Sequence, residues 1–287
     1  MFSAEQCSSV NPGNAVSALT VWRQGDYTLS VEEFLVTDAW SDDGPQVDAV
    51  PVIGLVVITQ TCDIVNDVPG KEYVTVCPLV ELDAKVYESI RKGRSPAGAV
   101  LEHPPKPNVV VDLGRMMSLH KSLLIRFERR DGFSTDDGRM RFAETIERKH
   151  GRFAFPDVFN DQILSKLRDR SLGAHGKSDS DPGKSYRSIQ TVRVSAQPNW
   201  DAQDVTVTFH FVLEPEGRRE VSRDVISRTL DDHFRRLSWP TGFMAAIPPY
   251  TLETLEEMSA AQWTQTQPVD WNFISWAGTI LPRGEPL

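Results

Sequence analysis

A run of apolar, mostly β-branched residues constrains the fold of this chain more than any other stretch. It covers residues 52–58 and contains Val52, Ile53, Leu55, Val56, Val57 and Ile58. Such side chains pack well in a strand that is buried on both faces. A second run, 73–80, follows a connector with Asn66-Asp67 and Pro69-Gly70, which favour turns. The two runs predict an antiparallel hairpin at the centre of an N-terminal, β-rich domain.

Small polar residues follow the first run at once and form the candidate site. Residues 59–63 read Thr-Gln-Thr-Cys-Asp and place a thiol and a carboxylate at the end of the predicted strand. A thiolate nucleophile needs a nearby base, most often histidine. His120 is the best candidate because it lies beside an ordered strand, and His103 and His150 are alternatives.

Three interpretations of these residues are open on the sequence alone. In the first, Cys62 and Asp63 are the active groups of an enzyme and His120 assists them. In the second, Gln60 and Thr61 join them in a pocket that binds a partner without catalysis. In the third, Cys62 is a buried small hydrophobe and Asp63 caps a turn. An exposed pocket that includes a histidine would favour the enzyme, and a buried Cys62 would favour the binding module.

Length and composition predict a globular protein with one large or two ordinary domains. The chain has 287 residues, of which 40% are hydrophobic and 25% charged. No apolar window reaches membrane-spanning length, and the first residues lack the pattern of a signal peptide. The cysteines, Cys7, Cys62 and Cys77, are few and odd in number, which is typical of a reducing compartment. We therefore expect a cytoplasmic protein without a membrane partner.

No metal or other cofactor is expected. Fourteen residues separate Cys62 from Cys77, whereas structural zinc sites use closely spaced cysteine pairs. Two Gly-Lys-Ser triplets, 176–178 and 183–185, lack the first glycine of a phosphate-binding loop and the strand before it.

Charge is distributed unevenly along the chain. The formal net charge of −9 disfavours a surface that coats nucleic acid. Residues 115–170 contain 13 Lys or Arg and 9 Asp or Glu, a balance of +4. A basic face within this segment would bind nucleic acid through Arg139, Arg141, Lys149 and Arg152. The other interpretation is a solvated helical surface.

We expect an α+β protein with two domains. Residues 1–21 are predicted to be an irregular arm, and residues 22–172 a small β-barrel-like domain with a helical hairpin. Residues 173–186, rich in Gly, Ser and Asp, are predicted to be a flexible linker. Residues 187–287 form the predicted second, smaller α+β domain with an aromatic tail.

Periodicity predicts the main elements of the first domain. We expect a helix over 82–94, a strand over 119–127, and a helical hairpin whose helices cover 139–149 and begin again at Asp157.

The second domain is predicted to contain two strands, 189–194 and 205–213, and helices from Ser222 and over 251–263. Its tail carries Trp271 and Trp276. These aromatic residues either pack on their own domain or anchor a protein partner.

Three segments carry a resemblance to known proteins. Trp22-Arg23-Gln24-Gly25-Asp26, residues 57–64 and residues 73–80 resemble a poorly characterised bacterial group with a Gln-x-Cys-Asp-Ile core. Members of that group recur in mobile-element or phage-defence neighbourhoods. The order of the segments is also similar to the small barrel of MazF/PemK-type toxins over residues 22–80. No Arg-Pro follows the first strand, so the ribonuclease residues of those toxins have no counterpart here.

The resemblance implies a toxin-like or phage-defence context. The leading hypothesis is a recognition or regulatory subunit of a bacterial defence-type system, which binds a protein or nucleic-acid partner. The alternative is a nuclease-like or thiol-dependent effector enzyme that acts through Cys62 or Asp63.

Overall fold

The structure is a computed structural model that describes residues 18–66, 68–151, 153–177 and 179–271, without the side chain of Asp38. The protein belongs to the α+β class, as predicted, because it contains both helices and several separate sheets. Within the described residues, no helix combines the length and the apolar character that crossing a membrane requires.

Two compact units divide the chain. The first comprises residues 1–91 and 95–151, and the second comprises residues 92–94 and the chain from 152 onward. The division therefore falls at residue 151 and not in the segment 173–186. The two helices of the predicted helical hairpin belong to different units.

The first unit is built around one sheet. Its elements are β1 (Tyr27–Thr28), β2 (Glu33–Ser41), β3 (Gly44–Pro51), β4 (Gly54–Val57), α1 (Thr61–Ile64), β5 (Tyr73–Glu81), α2 (Ala84–Arg91), β6 (Gly98–Ala99), β7 (Val109–Asp112), β8 (Met117–His120), α3 (Lys121–Leu124) and α4 (Asp136–His150). The main sheet has the order β1-β4-β5-β7-β6, and β8 also pairs with β5. These pairings do not close into a barrel among the described strands, so the barrel-like detail is not confirmed.

The predicted central hairpin is confirmed. Strands β4 and β5 pair antiparallel, with Gly54 opposite Leu79 and Val57 opposite Val76. Both faces of β4 are buried: Val56 belongs to one hydrophobic cluster, while Leu55 and Val57 belong to another. Burial on two faces explains why the run is continuously apolar and does not alternate.

The strand predicted over 119–127 is wrong beyond its first residues. Strand β8 ends at His120, and the chain turns into the helix α3. The His120 side chain caps this helix by accepting a hydrogen bond from the Ser122 backbone N–H. This cap ends the strand because it supplies the first turn of α3 with an acceptor.

The second unit packs helices on a four-stranded sheet. Its elements are α5 (Asp157–Phe159), a π-helical turn (Asn160–Leu164), α6 (Ser165–His175), α7 (Asp181–Arg187), β9 (Ile189–Gln197), β10 (Val205–Leu213), a 3-10 turn (Glu216–Arg218), α8 (Arg223–Arg235), β11 (Phe243–Thr254), α9 (Ala260–Gln265) and β12 (Gln267–Pro268). The strand order is β11-β10-β9-β12. Strands β10 and β11 are parallel, and the other neighbours are antiparallel.

Two sequence predictions fail in this unit. Much of the predicted linker is helical, since α6 runs to His175 and α7 begins at Asp181. Ser180 caps α7 by accepting from the Gly183 N–H, and a proline lies in its first turn, which is a standard helix start. The helix predicted over 251–263 is instead the end of β11, which pairs with β10 up to Thr254, followed by the short helix α9.

His233 is a buried titratable group in the core of this unit. It lies on α8, is 1% exposed, and its Nδ1 is 3.3 Å from the Tyr186 hydroxyl. Its Nε2 is buried without a hydrogen-bond partner among the described residues. Burial lowers the pKa of His233 to about 4, and the positive charge of Arg170 also acts in this direction. The folded unit therefore holds this imidazole in its neutral form.

The second unit is expected to lose stability in acid. The unfolded chain binds a proton at His233 near the ordinary pKa of 6.5, whereas the folded chain does so only near a pKa of about 4. The stability that this group contributes is therefore fully present above pH 6.5. As the pH falls from 6.5 to about 4, the free energy of unfolding decreases by up to about 3 kcal/mol. Urea denaturation at a series of pH values measures this loss.

His233→Gln removes the titrating group and is expected to flatten the dependence of the unfolding free energy on pH. The matched control is His103→Gln, which changes an exposed histidine of the first unit. If His233→Gln keeps the wild-type slope, His233 is not the source of the acid sensitivity.

Candidate functional site

The motif after β4 forms a single helical turn. Helix α1 covers Thr61–Ile64, and the backbone N–H groups of Asp63 and Ile64 donate to the Gln60 carbonyl at 3.0 and 3.1 Å. Ile64 is fully buried and anchors the turn in the core. Between the strand and this anchor, Gln60 and Cys62 are exposed, whereas Ile58 is buried.

Hydrogen bonds from neighbouring segments fix the entry to this turn. The Gln24 side-chain amide donates to the Ile58 carbonyl at 2.7 Å, and the Gln24 backbone N–H donates to Thr61 Oγ1 at 3.1 Å. The Thr75 N–H donates to Thr59 Oγ1 at 2.6 Å. Thr61 was predicted to line a binding pocket, but its hydroxyl accepts a bond that holds the backbone in place.

A buried lysine fixes the exit from the turn. Lys121 is 6% exposed, and its Nζ donates to the carbonyl oxygens of Asp63 at 2.7 Å and Asn66 at 2.5 Å. Hydrogen bonds from a charged donor contribute about 1.5–3 kcal/mol each. The backbone of residues 63–66 is therefore tied to the start of α3.

A buried carboxylate holds the segment that carries Gln24. Asp26 is fully buried, and it accepts from Arg129 at 2.6 Å, from Arg139 at 3.0 Å and from the Arg23 N–H at 2.8 Å. Two guanidinium groups and one backbone N–H compensate the carboxylate for its loss of water.

The side chains of the motif point outward. Gln60 and Cys62 are exposed, and Cys62 Sγ lies 3.8 Å from Gln60 Oε1. The Asp63 carboxylate is 2.7 Å from Lys71 Nζ, with side-chain exposures of 42% and 49%. The hydrogen bond and charge of Lys71 lower the pKa of Asp63, and Asp63 raises the pKa of Lys71 in return. The interpretation of Cys62 as a buried hydrophobe is therefore wrong, and the buried Cys62 that we expected of a binding module is not found either.

His120 is engaged elsewhere. Its Nδ1 is 2.7 Å from Ser122 Oγ, and its ring meets the Tyr73 ring edge-on at 5.3 Å. In the described part of the chain, no hydrogen bond joins His120 to Cys62. The arrangement expected for a cysteine nucleophile with a histidine base is thus not assembled at this motif.

Two surface residues beside the motif are not among the predicted site residues. Lys71 pairs with Asp63, and Tyr73, which is 61% exposed, contacts His120. Both lie where the connector meets β5. Their signal in the sequence was their position at the start of β5, because Lys71 comes two residues before that strand and Tyr73 is its first residue.

The predicted basic face is largely neutral. Helix α4 carries four basic residues, Arg139, Arg141, Arg148 and Lys149, and four acidic ones, Asp136, Asp137, Glu144 and Glu147. Arg139 is turned into the protein, where it binds Asp26 and donates to the carbonyl of Phe133 at 2.8 Å. Arg141 and Lys149 are partly buried. Arg139 therefore serves the fold and does not face a ligand.

The other predicted binding residues have different outcomes. Trp271 is 3% exposed and packs near Tyr186 and Phe211 in the core of the second unit. Arg152 and Trp276 lie outside the described residues.

The Asp26 network predicts a large loss of stability on mutation. Asp26→Asn leaves two partly buried guanidinium groups without their carboxylate, and we expect a loss of about 3–5 kcal/mol in the free energy of unfolding. Asp131→Asn is the matched control, because Asp131 binds the same Arg129 from an exposed position. It should cost less than about 1 kcal/mol. Equal losses in urea denaturation would contradict a special role for the buried carboxylate.

The two described cysteines are expected to differ in reactivity. Cys62 is exposed, whereas burial raises the pKa of Cys77 to about 12, with a smaller contribution from Asp112. Iodoacetamide should therefore alkylate Cys62 in the folded protein and Cys77 only after denaturation. Peptide mass mapping distinguishes the two sites. Rapid alkylation of Cys77 in the folded protein would contradict the burial of its thiol in β5.

Comparison with known proteins adds no assignment to this geometry. No protein-family model matches the chain, and no curated protein is significantly similar to it. Among the described residues, no group of three or more His, Cys, Asp or Glu is placed to bind a metal ion. The chemistry of the site therefore has to be argued from its own residues.

Proposed function

We propose that the protein is a recognition or regulatory subunit that binds a protein partner through the Cys62 surface, defined as Gln60, Cys62, Asp63, Lys71 and Tyr73. The observation that carries this proposal is the rigid support of an exposed motif. Neighbouring segments hold the backbone of the turn by hydrogen bonds, while Gln60 and Cys62 are exposed and Asp63 is half-exposed.

Rigid support favours binding because the conformational entropy of the turn is already lost when the protein folds, so it is not lost again on association. Association usually loses about 0.5–1.5 kcal/mol for each flexible side chain or loop element that it immobilises. In the Cys62 surface the backbone is already fixed, and the ion pair with Asp63 restrains the long side chain of Lys71. Tyr73 adds a large amphipathic ring of the kind that is enriched at protein interfaces.

Charge favours a protein over a nucleic acid as the partner. The ion pair leaves the Cys62 surface close to neutral, and residues 24–70 contain neither Lys nor Arg. Helix α4 balances its basic residues with acidic ones. A nucleic-acid site would need several cations on one face to neutralise phosphates.

The biological setting in this proposal comes from the resemblance of the Gln-x-Cys-Asp-Ile core. It is a bacterial defence-type system, with the protein acting in the cytoplasm. The barrel-like character of the first unit belongs to the same proposal.

A thiol-dependent effector is the second candidate, and one observation favours it. Cys62 is exposed, so its thiol is accessible to a substrate. An accessible thiol is a requirement of a cysteine nucleophile. His120 would have no direct role, since its hydrogen bonds run to Ser122.

Substitutions of Cys62 separate the two candidates in a phage-protection assay. Cys62→Ser keeps the size of the side chain, so recognition predicts near wild-type protection, whereas thiol chemistry predicts its loss. Cys62→Trp blocks the surface, and recognition predicts that protection falls by about tenfold or more. Gln203→Trp, at an exposed turn of the second unit, is the control for adding an indole.

Circular dichroism of each variant establishes that the fold is intact. Loss of protection in a folded Cys62→Ser variant would contradict recognition and would support the thiol-dependent effector. Wild-type protection by both Cys62 variants would remove the Cys62 surface from the function altogether.

A further inference from the structure

Strands β2 and β3 form a ribbon that leaves one face uncovered. They make a two-stranded sheet of their own, and among the described strands they pair only with each other. The inner face of the ribbon, at its base, contacts the core: Phe34 is 2% exposed, and Val36 and Val50 pack against the same cluster.

The opposite face carries three large apolar side chains. Leu35 is 54% exposed, Val47 58% and Trp40 80%. A face of this kind is unusual in a protein without a binding partner, because exposed apolar groups gain free energy when they are covered.

The register shows that these three side chains share one face. Directly paired residues of an antiparallel ladder project to the same side, and residues two apart along a strand do likewise. On β3 this places Pro45, Val47 and Ala49 on one side. Ala49 pairs with Leu35 and Pro45 pairs with Trp40. The irregularity between Thr37 and Ala39 maintains this arrangement by inserting one extra residue into β2.

Acidic residues lie at both ends of this apolar face. Within residues 32–51 the chain contains six acidic residues and neither Lys nor Arg. Three of them are exposed at the ends of the outer face: Glu33, which pairs with Pro51 and so shares the side of Leu35, and Asp42 and Asp43 at the tip. Asp48 pairs with Val36 and belongs to the opposite face. Asp42 and Asp43 are exposed at the tip, next to Trp40 in sequence. The ribbon thus combines an apolar strip with a concentrated negative charge.

We infer that the outer face of the β2–β3 ribbon is a docking surface for a basic polypeptide segment that carries apolar side chains. Lysine or arginine side chains of that segment would face the carboxylates of the ribbon, and an arginine could stack on the Trp40 indole. Its apolar side chains would cover Leu35 and Val47. This surface is separate from the Cys62 surface and goes beyond the function proposed above.

Charge excludes the competing occupants. A second copy of the chain, placed face to face on this surface, would bring two sets of the carboxylates of Glu33, Asp42 and Asp43 together. Nucleic acid and anionic lipid would bring phosphates to the same groups. Like charges in close contact are destabilising, so each of these occupants is disfavoured.

Fluorescence anisotropy with two labelled peptides tests the inference on the full chain. One peptide alternates Arg and Leu, and the other alternates Glu and Leu. We expect only the first to bind. Trp40→Ala should weaken binding by about tenfold or more, and Asp42→Asn with Asp43→Asn should weaken it and reduce its dependence on salt.

Matched controls come from the second unit. Ile247→Ala removes an apolar side chain that is fully exposed, and Asp201→Asn with Asp204→Asn removes two exposed carboxylates. Both should bind the Arg-Leu peptide as the wild type does. Binding that is absent in the wild type, or equal in Trp40→Ala, would overturn the inference. A dimer or a DNA complex that Trp40→Ala abolishes would overturn it in favour of that other occupant.

Discussion

The candidate site depends most on the ion pairs that the buried Asp26 carboxylate makes with Arg129 and Arg139. Its bonds to Arg129 and Arg139 join the segment before β1 to two later parts of the first unit. That segment carries Gln24, whose amide and backbone N–H hold the entry to the Cys62 turn. An ionic contact in the interior therefore sets the position of an exposed thiol to which it is not bonded. Arg139, which the sequence predicted to bind nucleic acid, binds this carboxylate instead.

Within the motif, one set of groups holds the backbone in place and another set faces the solvent. Thr61 and the backbone oxygen of Asp63 are used for internal bonds, while the Cys62 thiol and the Asp63 carboxylate remain in solvent. This division suits a surface that has to keep one shape, because the hydrogen bonds that support the backbone do not use the groups that a partner would contact.

Elements with a clear local sequence pattern could be predicted from the sequence, whereas elements that depend on contacts distant in sequence could not. The β4–β5 hairpin followed from its apolar runs, and the exposure of Gln60 and Cys62 agrees with the abrupt polar ending of the first run. Strand β3 escaped because most of its residues are exposed, so it lacks a buried face. The end of β11 was mistaken for a helix because its pairing with β10 is parallel and far away in sequence. Lys121 could not be assigned its role, since it binds backbone oxygens 55 and 58 residues earlier, which leave no side-chain signature.

Burial of β4 on both faces also determines where the thiol can be. Because successive side chains of a strand alternate between faces, sliding β4 by one residue against β5 would exchange the occupants of the two hydrophobic clusters. The turn follows the strand after only three residues, so such a slip would also displace the turn that carries Cys62 and Ile64. A one-residue deletion within residues 54–60 is thus far more disruptive than most substitutions there, since it forces a choice between a packed core and an exposed motif.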